Sequence, residues 1–261
     1  YIRKDAIKRN IKALKEFSEL AYEKGCEHLY CIGTSALRDS NNKLEFINLA
    51  KNEVGIDVEI ISGQEESNLG FMGVLQGLEE NEDILVIDIG GGSTEFILGG
   101  NNGIEFSKSE NVGALRMTEK FLNEDPICEE EFESMKKFIS STINDTLNIL
   151  KNKEIKAVVG IGGTITSVSA INQELETYTM EKIHGSEINQ KELDIILQNL
   201  KNMTLSDKKT LKGLQPKRAD IITAGVTILN IIMKKLEKQN IIVSEYDNLE
   251  GLLCHKAKKM S

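Results

Sequence analysis

The sequence predicts a two-lobed α/β protein, and three observations support that prediction. Residues 28–79 twice repeat a strand, a polar loop and a helix, which is typical of a parallel βαβ layer. An apolar run then ends in Asp88 and continues through three glycines toward a hairpin. A second apolar run, residues 157–161, leads into Gly162 and Gly163 at a predicted helix start.

The N-terminal part begins with an amphipathic helix over residues 3–24, where apolar residues such as Ile7 and Ile11 recur at helical spacing. The elements predicted next are a strand at 28–32, a helix at 43–54, a strand at 58–61 and a helix at 65–79. In parallel sheets, ligands bind beyond the carboxyl ends of the strands. The polar segments GTSALRDSNN and SGQEES follow those ends, so we expect both near a ligand.

From residue 83 the pattern changes to hairpin strands followed by long helices. Strands are predicted at 84–88, 94–98, 104–107, 157–161 and 241–244, and helices at 113–123, 129–151, 190–213, 217–238 and 248–259. This order of strand, hairpin, helix, strand and helix matches one half of an actin-like or RNase H-like fold. We therefore expect a first lobe over residues 1–80 and a second over 81–245. The C-terminal helix, 246–261, would pack back toward the first lobe.

Composition excludes several classes of function. The 261 residues suffice for one large domain or for two lobes with cores of their own. A net charge of −9 argues against a general nucleic-acid or membrane-surface binder, although a polyanionic substrate is still compatible with it. No apolar run reaches the ~18 residues that a membrane span requires. The four cysteines show no metal-binding spacing, so we interpret them as reduced thiols, most of them filling the core.

Residues 87–96, IDIGGGSTEF, give the strongest chemical signal. Consecutive glycines allow the backbone to turn and expose its N–H groups, and such a nest of donors binds phosphate oxygens. The acids on either side, Asp88 and Glu95, are the ligand type that a hard divalent cation prefers. The motif therefore predicts a clamp for a metal ion and a phosphate. The alternative is a plain β-hairpin with a glycine-rich turn.

Five segments together resemble the exopolyphosphatase / guanosine pentaphosphate phosphohydrolase family. They are GTSALRDSNN, IISGQEESNLGFMGV, IDIGGGSTEF, VVGIGGT and KRADIITAGVTIL, in the family's order and spacing. The resemblance implies an actin-like (RNase H-like, ASKHA) two-lobed fold with the active site in the cleft. Family members begin with another Asp-Ile-Gly-Ser-Asn-type phosphate loop, and none precedes Tyr1. We therefore expect a first lobe that lacks its N-terminal strands, through truncation rather than as a non-catalytic remnant.

The resemblance also implies roles for individual charged residues. Glu66 matches the family's catalytic glutamate, which would orient and deprotonate the attacking water. Arg38 would contact a substrate phosphate; the alternative is a surface ion pair with Asp39 or another nearby acid. Asp88 and Glu95 would hold Mg²⁺ as the cofactor.

Two glycine-rich segments are assigned to the substrate. Phosphate binding is assigned to the backbone N–H groups of five consecutive residues: Gly90, Gly91, Gly92, Ser93 and Thr94. Gly162 and Gly163 match the nucleotide loop of actin-fold kinases. They either help to bind a guanosine moiety or only allow close packing of helix and strand. Glu65 is explained at least as well by the dipole at its helix start as by catalysis.

The leading function is release of the terminal phosphate from inorganic polyphosphate, guanosine pentaphosphate or both, by Mg²⁺-assisted attack of water. The alternatives are an actin-fold small-molecule kinase and a non-catalytic protein that binds polyphosphate or an alarmone. The resemblance implies a cytoplasmic protein of the bacterial stringent response, with no nucleic-acid or membrane partner and with a homodimer left open. Lysines on the first and last helices, among them Lys258 and Lys259, line either a polyphosphate channel or a solvated charged face.

Overall fold

The structure, a computed structural model, describes residues 1–78 and 83–260, the last three of them by their backbone. The predicted lobe boundary at residues 80–81 lies outside the described residues, and so do the side chains of Lys258 and Lys259. The lobe boundary and the role of these two lysines therefore stay predictions.

The chain packs as two compact units, Tyr1–Glu66 and a second that begins at Ser67. The first unit contains, in chain order, α1 (Lys4–Glu23), β1 (Cys31–Gly33), α2 (Ser35–Arg38), α3 (Lys43–Leu49), a π-helical turn (Ala50–Val54) and β2 (Val58–Ile60). Strands β1 and β2 pair in parallel. Ile7 and Ile11 of α1 are buried and belong to the same apolar cluster as Ala50, which confirms the predicted amphipathic helix.

Helix α4 (Gly63–Gly77) begins in the first unit and ends in the second. The remaining strands are β3 (Ile84–Ile89), β4 (Thr94–Gly100), β5 (Gly103–Glu110), β6 (Ala157–Ile161), β7 (Glu187–Asn189) and β8 (Asn240–Val243). The remaining helices are α5 (Ala114–Phe121), α6 (Glu129–Thr142), α7 (Asn144–Lys151), α8 (Gly162–Asn172), α9 (Met180–Ile183), α10 (Gln190–Asn202), α11 (Leu205–Lys209), α12 (Ile222–Leu236) and α13 (Asn248–Met260).

The sheet of the second unit has the order β5-β4-β3-β6-β8-β7. Strands β3, β4 and β5 form consecutive antiparallel pairs, whereas β6 and β8 run parallel to β3 on its other side. A central strand with a hairpin on one side and parallel strands on the other is the arrangement of an RNase H-like, actin-like lobe. The predicted α/β fold class is therefore confirmed.

Alternating residues of β3 bury opposite faces of this sheet, as a period of two requires. Leu85 and Ile87 join the large core formed with helices that include α8 and α12. Ile84 and Val86 point to the other face, where they pack with Phe71 of α4. Helix α12 is buried on nearly all sides, so it is the central helix of the large core.

Two predicted helices are interrupted. The helix expected over 129–151 breaks at Ile143 into α6 and α7, and the one expected over 190–213 ends at Asn202. A new helix starts there because Thr204 and Asp207 form a capping box, in which each side chain accepts the other's backbone N–H. The sequence Thr-x-x-Asp contains this signal, which outweighs the continuing helical periodicity.

The cysteines differ from the prediction. All four are free, as expected, but Cys26 is exposed and the other three are half-buried, so they do not fill the core. Burial raises the pKa of the Cys31 thiol. Among the described residues, no helix is long and apolar enough to cross a bilayer. The cytoplasmic location stays a prediction.

Candidate active site

Asp88 and Glu95 lie directly opposite each other on β3 and β4. Directly opposed residues of an antiparallel pair share one face of the sheet, with Cβ atoms about 4.5–5.5 Å apart. Glu95 Oε1 also accepts a hydrogen bond of 2.8 Å from Ser109 Oγ on the neighbouring strand. The register therefore places the two acids that the sequence assigned to a metal ion on adjacent strands and on one face of the sheet.

Residues 90–93, here called the glycine loop, connect these two strands and rest on the start of α5. The N–H groups of Ala114 and Arg116 donate to the carbonyl oxygens of Gly90 and Gly91, each at 2.9 Å. The guanidinium Nε of Arg116 donates to the carbonyl oxygen of Gly92 at 2.7 Å. Three consecutive loop carbonyls are thus turned toward α5.

This orientation decides where the loop N–H groups point. In a planar trans peptide the C=O and the following N–H project in opposite directions. The N–H groups of Gly91, Gly92 and Ser93 are therefore directed away from α5. Within the described chain none of the three donates to a protein acceptor. They form an outward-facing row of donors, which is the arrangement that binds an anion.

The other two residues assigned to the phosphate are engaged within the protein. The N–H of Gly90 donates to the carbonyl oxygen of Ser93 at 3.0 Å. The hydroxyl of Thr94 is fully buried and donates to the carbonyl oxygen of Val112 at 2.6 Å. These bonds close the turn and attach it to the chain before α5. The hairpin alternative is thus correct for the backbone, and it does not conflict with anion binding.

In the first unit, Arg38 and Glu66 form an ion pair, with 3.0 Å between Arg38 Nη1 and Glu66 Oε2. The same Nη1 donates to the carbonyl oxygen of Ile61 at 3.0 Å. About a quarter of each side chain remains exposed. Asp39 lies farther away, with its Oδ1 3.7 Å from Arg38 Nε. The structure therefore brings together the two residues predicted to be catalytic.

Glu65 has a structural role at the start of α4. Its Oε2 accepts hydrogen bonds of 2.8 Å from the backbone N–H and from the hydroxyl of Ser62. In return, Ser62 Oγ accepts the N–H of Glu65 at 3.1 Å. This reciprocal pair is a capping box. The capping box fixes the helix turn on which Glu66 lies.

Gly162 and Gly163 at the start of α8 both lie in close contact with charged side chains. Gly162 has a φ of +79°, and a Cβ at this position would collide with the Asp88 carboxylate. A Cβ on Gly163 would collide with the guanidinium of Arg218. Thr164, the next residue, donates from Oγ1 to the carbonyl oxygen of Ile89 at 3.0 Å. The two glycines thus allow close packing at the start of α8, which was the alternative interpretation. Gly162 also contacts the carboxylate of Asp88.

Comparisons with known proteins show which family the chain belongs to. The profile of the Ppx/GppA phosphatase family matches residues 1–260. The chain belongs to that family. The family resemblance seen in the sequence is therefore confirmed.

Two relatives illustrate the range of this family. Exopolyphosphatase 2 of Mycobacterium tuberculosis is 30% identical over 95% of this chain and 81% of its own length. A bifunctional 3-dehydroquinate synthase/phosphatase of Fusobacterium nucleatum is 36% identical over 97% of this chain. The chain spans only 39% of that longer protein.

Solved structures of Ppx/GppA proteins share the fold. An exopolyphosphatase from Cytophaga hutchinsonii superposes with a TM-score of 0.91 at 28% identity, covering 99% of this chain and 84% of that one. The Aquifex aeolicus Ppx/GppA protein gives a TM-score of 0.86 at 29% identity, with 100% and 84% covered.

The sequence did not single out a cavity of about 220 Å³ in the second unit of this Ppx/GppA protein. Gly162 and Gly163 line it together with Arg218, Glu245 and Asp247. Burial raises the pKa of both carboxyl groups, and their mutual repulsion raises that of Glu245 further. The segment Ser-Glu-Tyr-Asp directly follows β8. Because ligands bind beyond the carboxyl ends of parallel strands, this position could have indicated the cavity from the sequence.

The site fits a hard divalent cation by its donor set. No group of three or more His, Cys, Asp and Glu side chains suited to a metal ion occurs in the part of the chain that the structure describes. Mg²⁺ needs no such cage, because it is bound through one or two carboxylates, water and substrate phosphate. Two opposed carboxylates also repel each other, and a cation relieves that repulsion. Asp88 and Glu95 are therefore suitable ligands.

Proposed function

We propose that the protein removes the terminal phosphate of inorganic polyphosphate, of guanosine pentaphosphate, or of both. One observation supports this proposal above the others: the row of N–H donors at Gly91, Gly92 and Ser93 is flanked by the opposed carboxylates of Asp88 and Glu95. A row of donors beside a pair of metal-binding acids suits a phosphoanhydride, which is polyanionic and needs its charge neutralised during transfer.

In this proposal the three N–H groups bind oxygens of the substrate phosphate. Glu66 is the base that orients and deprotonates the attacking water. Its Oε2 is held by Arg38, and its Oε1 has no hydrogen-bond partner within the described residues, so that oxygen is the one that accepts the proton. Arg38 retains a further Nη group with which to contact a phosphate oxygen.

Mg²⁺ is the proposed cofactor, and Asp88 with Glu95 would hold it. When bound, Mg²⁺ neutralises charge that develops on the phosphoryl group and its leaving oxygen. The protein's own contribution is to fix the two carboxylates in register on adjacent strands, so that they are aligned before substrate binds.

The cavity beside Gly163 supports guanosine pentaphosphate as one of the substrates. It presents the planar guanidinium of Arg218 and the carboxylates of Glu245 and Asp247. Guanidinium groups stack on planar rings, and carboxylates accept hydrogen bonds from ribose hydroxyls and from the amide edge of guanine. Arg218→Met is therefore expected to slow hydrolysis of guanosine pentaphosphate and to leave that of polyphosphate unchanged.

Phosphate release by the protein at its natural length tests the proposal. Tripolyphosphate, long-chain polyphosphate and guanosine pentaphosphate are each incubated with and without Mg²⁺. We expect release of terminal phosphate from at least one of them, and none after chelation. Binding of these anions without release would overturn the proposal in favour of a non-catalytic protein. Transfer of phosphate from ATP to a sugar or acetate, without hydrolysis, would overturn it in favour of a kinase.

A further inference from the structure

The glycine loop is held from one side by three hydrogen bonds, and they differ in kind. Those to Gly90 and Gly91 come from backbone N–H groups of α5, so any residue other than proline at those helix positions supplies them. The bond to Gly92 comes from a side chain, the Nε of Arg116, at 2.7 Å. The orientation of the last peptide of the row therefore depends on the identity of one residue.

Arg116 belongs to a helix whose start is packed tightly against the glycine loop. A Cβ on Gly113, just before α5, would lie 2.5–2.6 Å from backbone atoms of Gly91, Gly92 and Ser93. The start of α5 is thus pressed against the glycine loop with no space for a side chain between them. Arg116 lies in the first turn of this helix, and its side chain reaches back to the loop. Its guanidinium Nη2 lies 3.6 Å from the position that a Cβ on Gly92 would take.

We propose that Arg116 is a positioning residue for phosphate binding, because its Nε fixes the Gly92–Ser93 peptide with the Ser93 N–H turned toward the phosphate. The inference rests on the function proposed above, in which that N–H binds a phosphate oxygen. The peptide is planar, so holding its carbonyl toward α5 holds its N–H on the opposite side. Without this bond, the peptide can rotate about ψ of Gly92 and φ of Ser93, and the glycine torsion in particular leaves the donor free to turn away.

Three substitutions of similar length separate the hydrogen bond from the charge. Arg116→Gln places an N–H donor at the same number of bonds from Cα as the Nε and removes the charge. Arg116→Lys keeps the charge but places a methylene at that point. Arg116→Met removes both. We expect Gln to behave like the wild type, and Lys to behave like Met, with a KM for tripolyphosphate raised about tenfold and kcat changed far less.

A readout without turnover distinguishes failure of this inference from failure of the proposed function. In the full chain, the amide resonances of Gly91, Gly92 and Ser93 are followed by NMR while tripolyphosphate is added. We expect all three to shift in the wild type and in Arg116→Gln. In Arg116→Met we expect the Ser93 shift to be lost at an unchanged melting temperature. If the wild type binds tripolyphosphate at these amides but releases no phosphate, the proposed hydrolase activity is contradicted. The positioning role of Arg116 is not affected by that result.

Two outcomes overturn the positioning role. If Arg116→Lys matches the wild type while Arg116→Gln behaves like Met, the charge acts and the Nε bond does not. If all three variants keep the wild-type KM and the wild-type Ser93 shift, the peptide holds its orientation without Arg116.

Discussion

Arg38 and Glu66 are joined by a hydrogen-bonded ion pair of 3.0 Å, and the same Arg38 nitrogen also holds the carbonyl oxygen of Ile61. The arginine is thereby fixed to the end of β2 and to the first turn of α4 at once. Oε2 of Glu66 accepts the bond from Arg38, and Oε1 has no hydrogen-bond partner within the described residues. This is the geometry that a base requires: an anchored carboxylate with one reactive oxygen.

Glu66→Gln is predicted to lower kcat for phosphate release by about 100-fold or more, because a positioned general base contributes on that order. Glutamine keeps an oxygen for the Arg38 bond, so the fold should be retained. The matched control is Glu65→Gln, which makes the same chemical change at the neighbouring residue. Glutamine also serves in a capping box, so this control should keep both activity and stability. Equal activity of the two variants would show that Glu66 is not the base.

Glu95→Gln is predicted to weaken the effect of Mg²⁺ on both activity and stability. Removing one of two opposed carboxylates relieves their repulsion, so the melting temperature in chelator should rise. The further rise on adding Mg²⁺ should shrink, and the Mg²⁺ concentration for half-maximal activity should increase roughly tenfold.

The control for this prediction is Glu105→Gln on β5. Glu105 is exposed and pairs with Lys153 at 2.6 Å, away from the opposed pair. An exposed ion pair of this kind contributes about 0–1 kcal/mol. If Glu95→Gln and the wild type gave identical Mg²⁺ titrations, Glu95 would not be a ligand of the metal ion.

Gly162→Ala is predicted to destabilise the protein and to disturb Asp88, because Gly162 combines a positive φ with a contact to that carboxylate. Gly185 has a similar φ of +76° with no atom within 4 Å of its missing Cβ. Gly185→Ala therefore measures the backbone strain alone, about 1–2 kcal/mol of unfolding free energy. We expect a larger loss for Gly162→Ala in chemical denaturation, and a changed Mg²⁺ requirement only in that variant. Equal losses with equal Mg²⁺ titrations would contradict the contact.

Much of this site was predictable because its signals are local in the sequence. The glycine triplet with an acid on each side already indicates the loop between β3 and β4. The two-residue period of β3 places Asp88 on the face of Ile84 and Val86. Ser-x-x-Glu before an apolar run is a capping signature, and it explains why Glu65 has a structural role, whereas Glu66 pairs with Arg38.

The remaining residues could not be predicted because their roles arise from contacts between distant segments. Arg116 follows Gly92 by 24 positions, and nothing in the sequence shows that α5 turns back onto the loop. Arg218 meets Gly163 only after α8 and the chain before α12 have packed together. The direction of the N–H groups of Gly91, Gly92 and Ser93 could not be predicted for the same reason, since it depends on which loop carbonyls α5 engages.

Asp247→Asn is predicted to stabilise the protein at neutral pH. Burial, together with the nearby Glu250, raises the pKa of the Asp247 carboxyl above its usual value of 3.8. The folded state then binds more protons than the unfolded state between the usual and the raised pKa. Stability therefore falls as pH rises through that window, and the full cost of the buried charge is present above it. Asparagine keeps the Oδ1 that accepts the Leu249 N–H at 3.0 Å and carries no charge.

Thermal unfolding from acidic to neutral pH, without substrate or Mg²⁺, measures this effect. The melting temperature of Asp247→Asn should exceed that of the wild type at neutral pH, and the difference should vanish below the usual aspartate pKa. Because part of the pKa shift comes from Glu250, the gain should be smaller in a Glu250→Gln background, where the bond from the Asp247 N–H is kept. A lower melting temperature for Asp247→Asn at neutral pH would mean that the charged carboxylate stabilises the fold, through a partner that the burial argument leaves out.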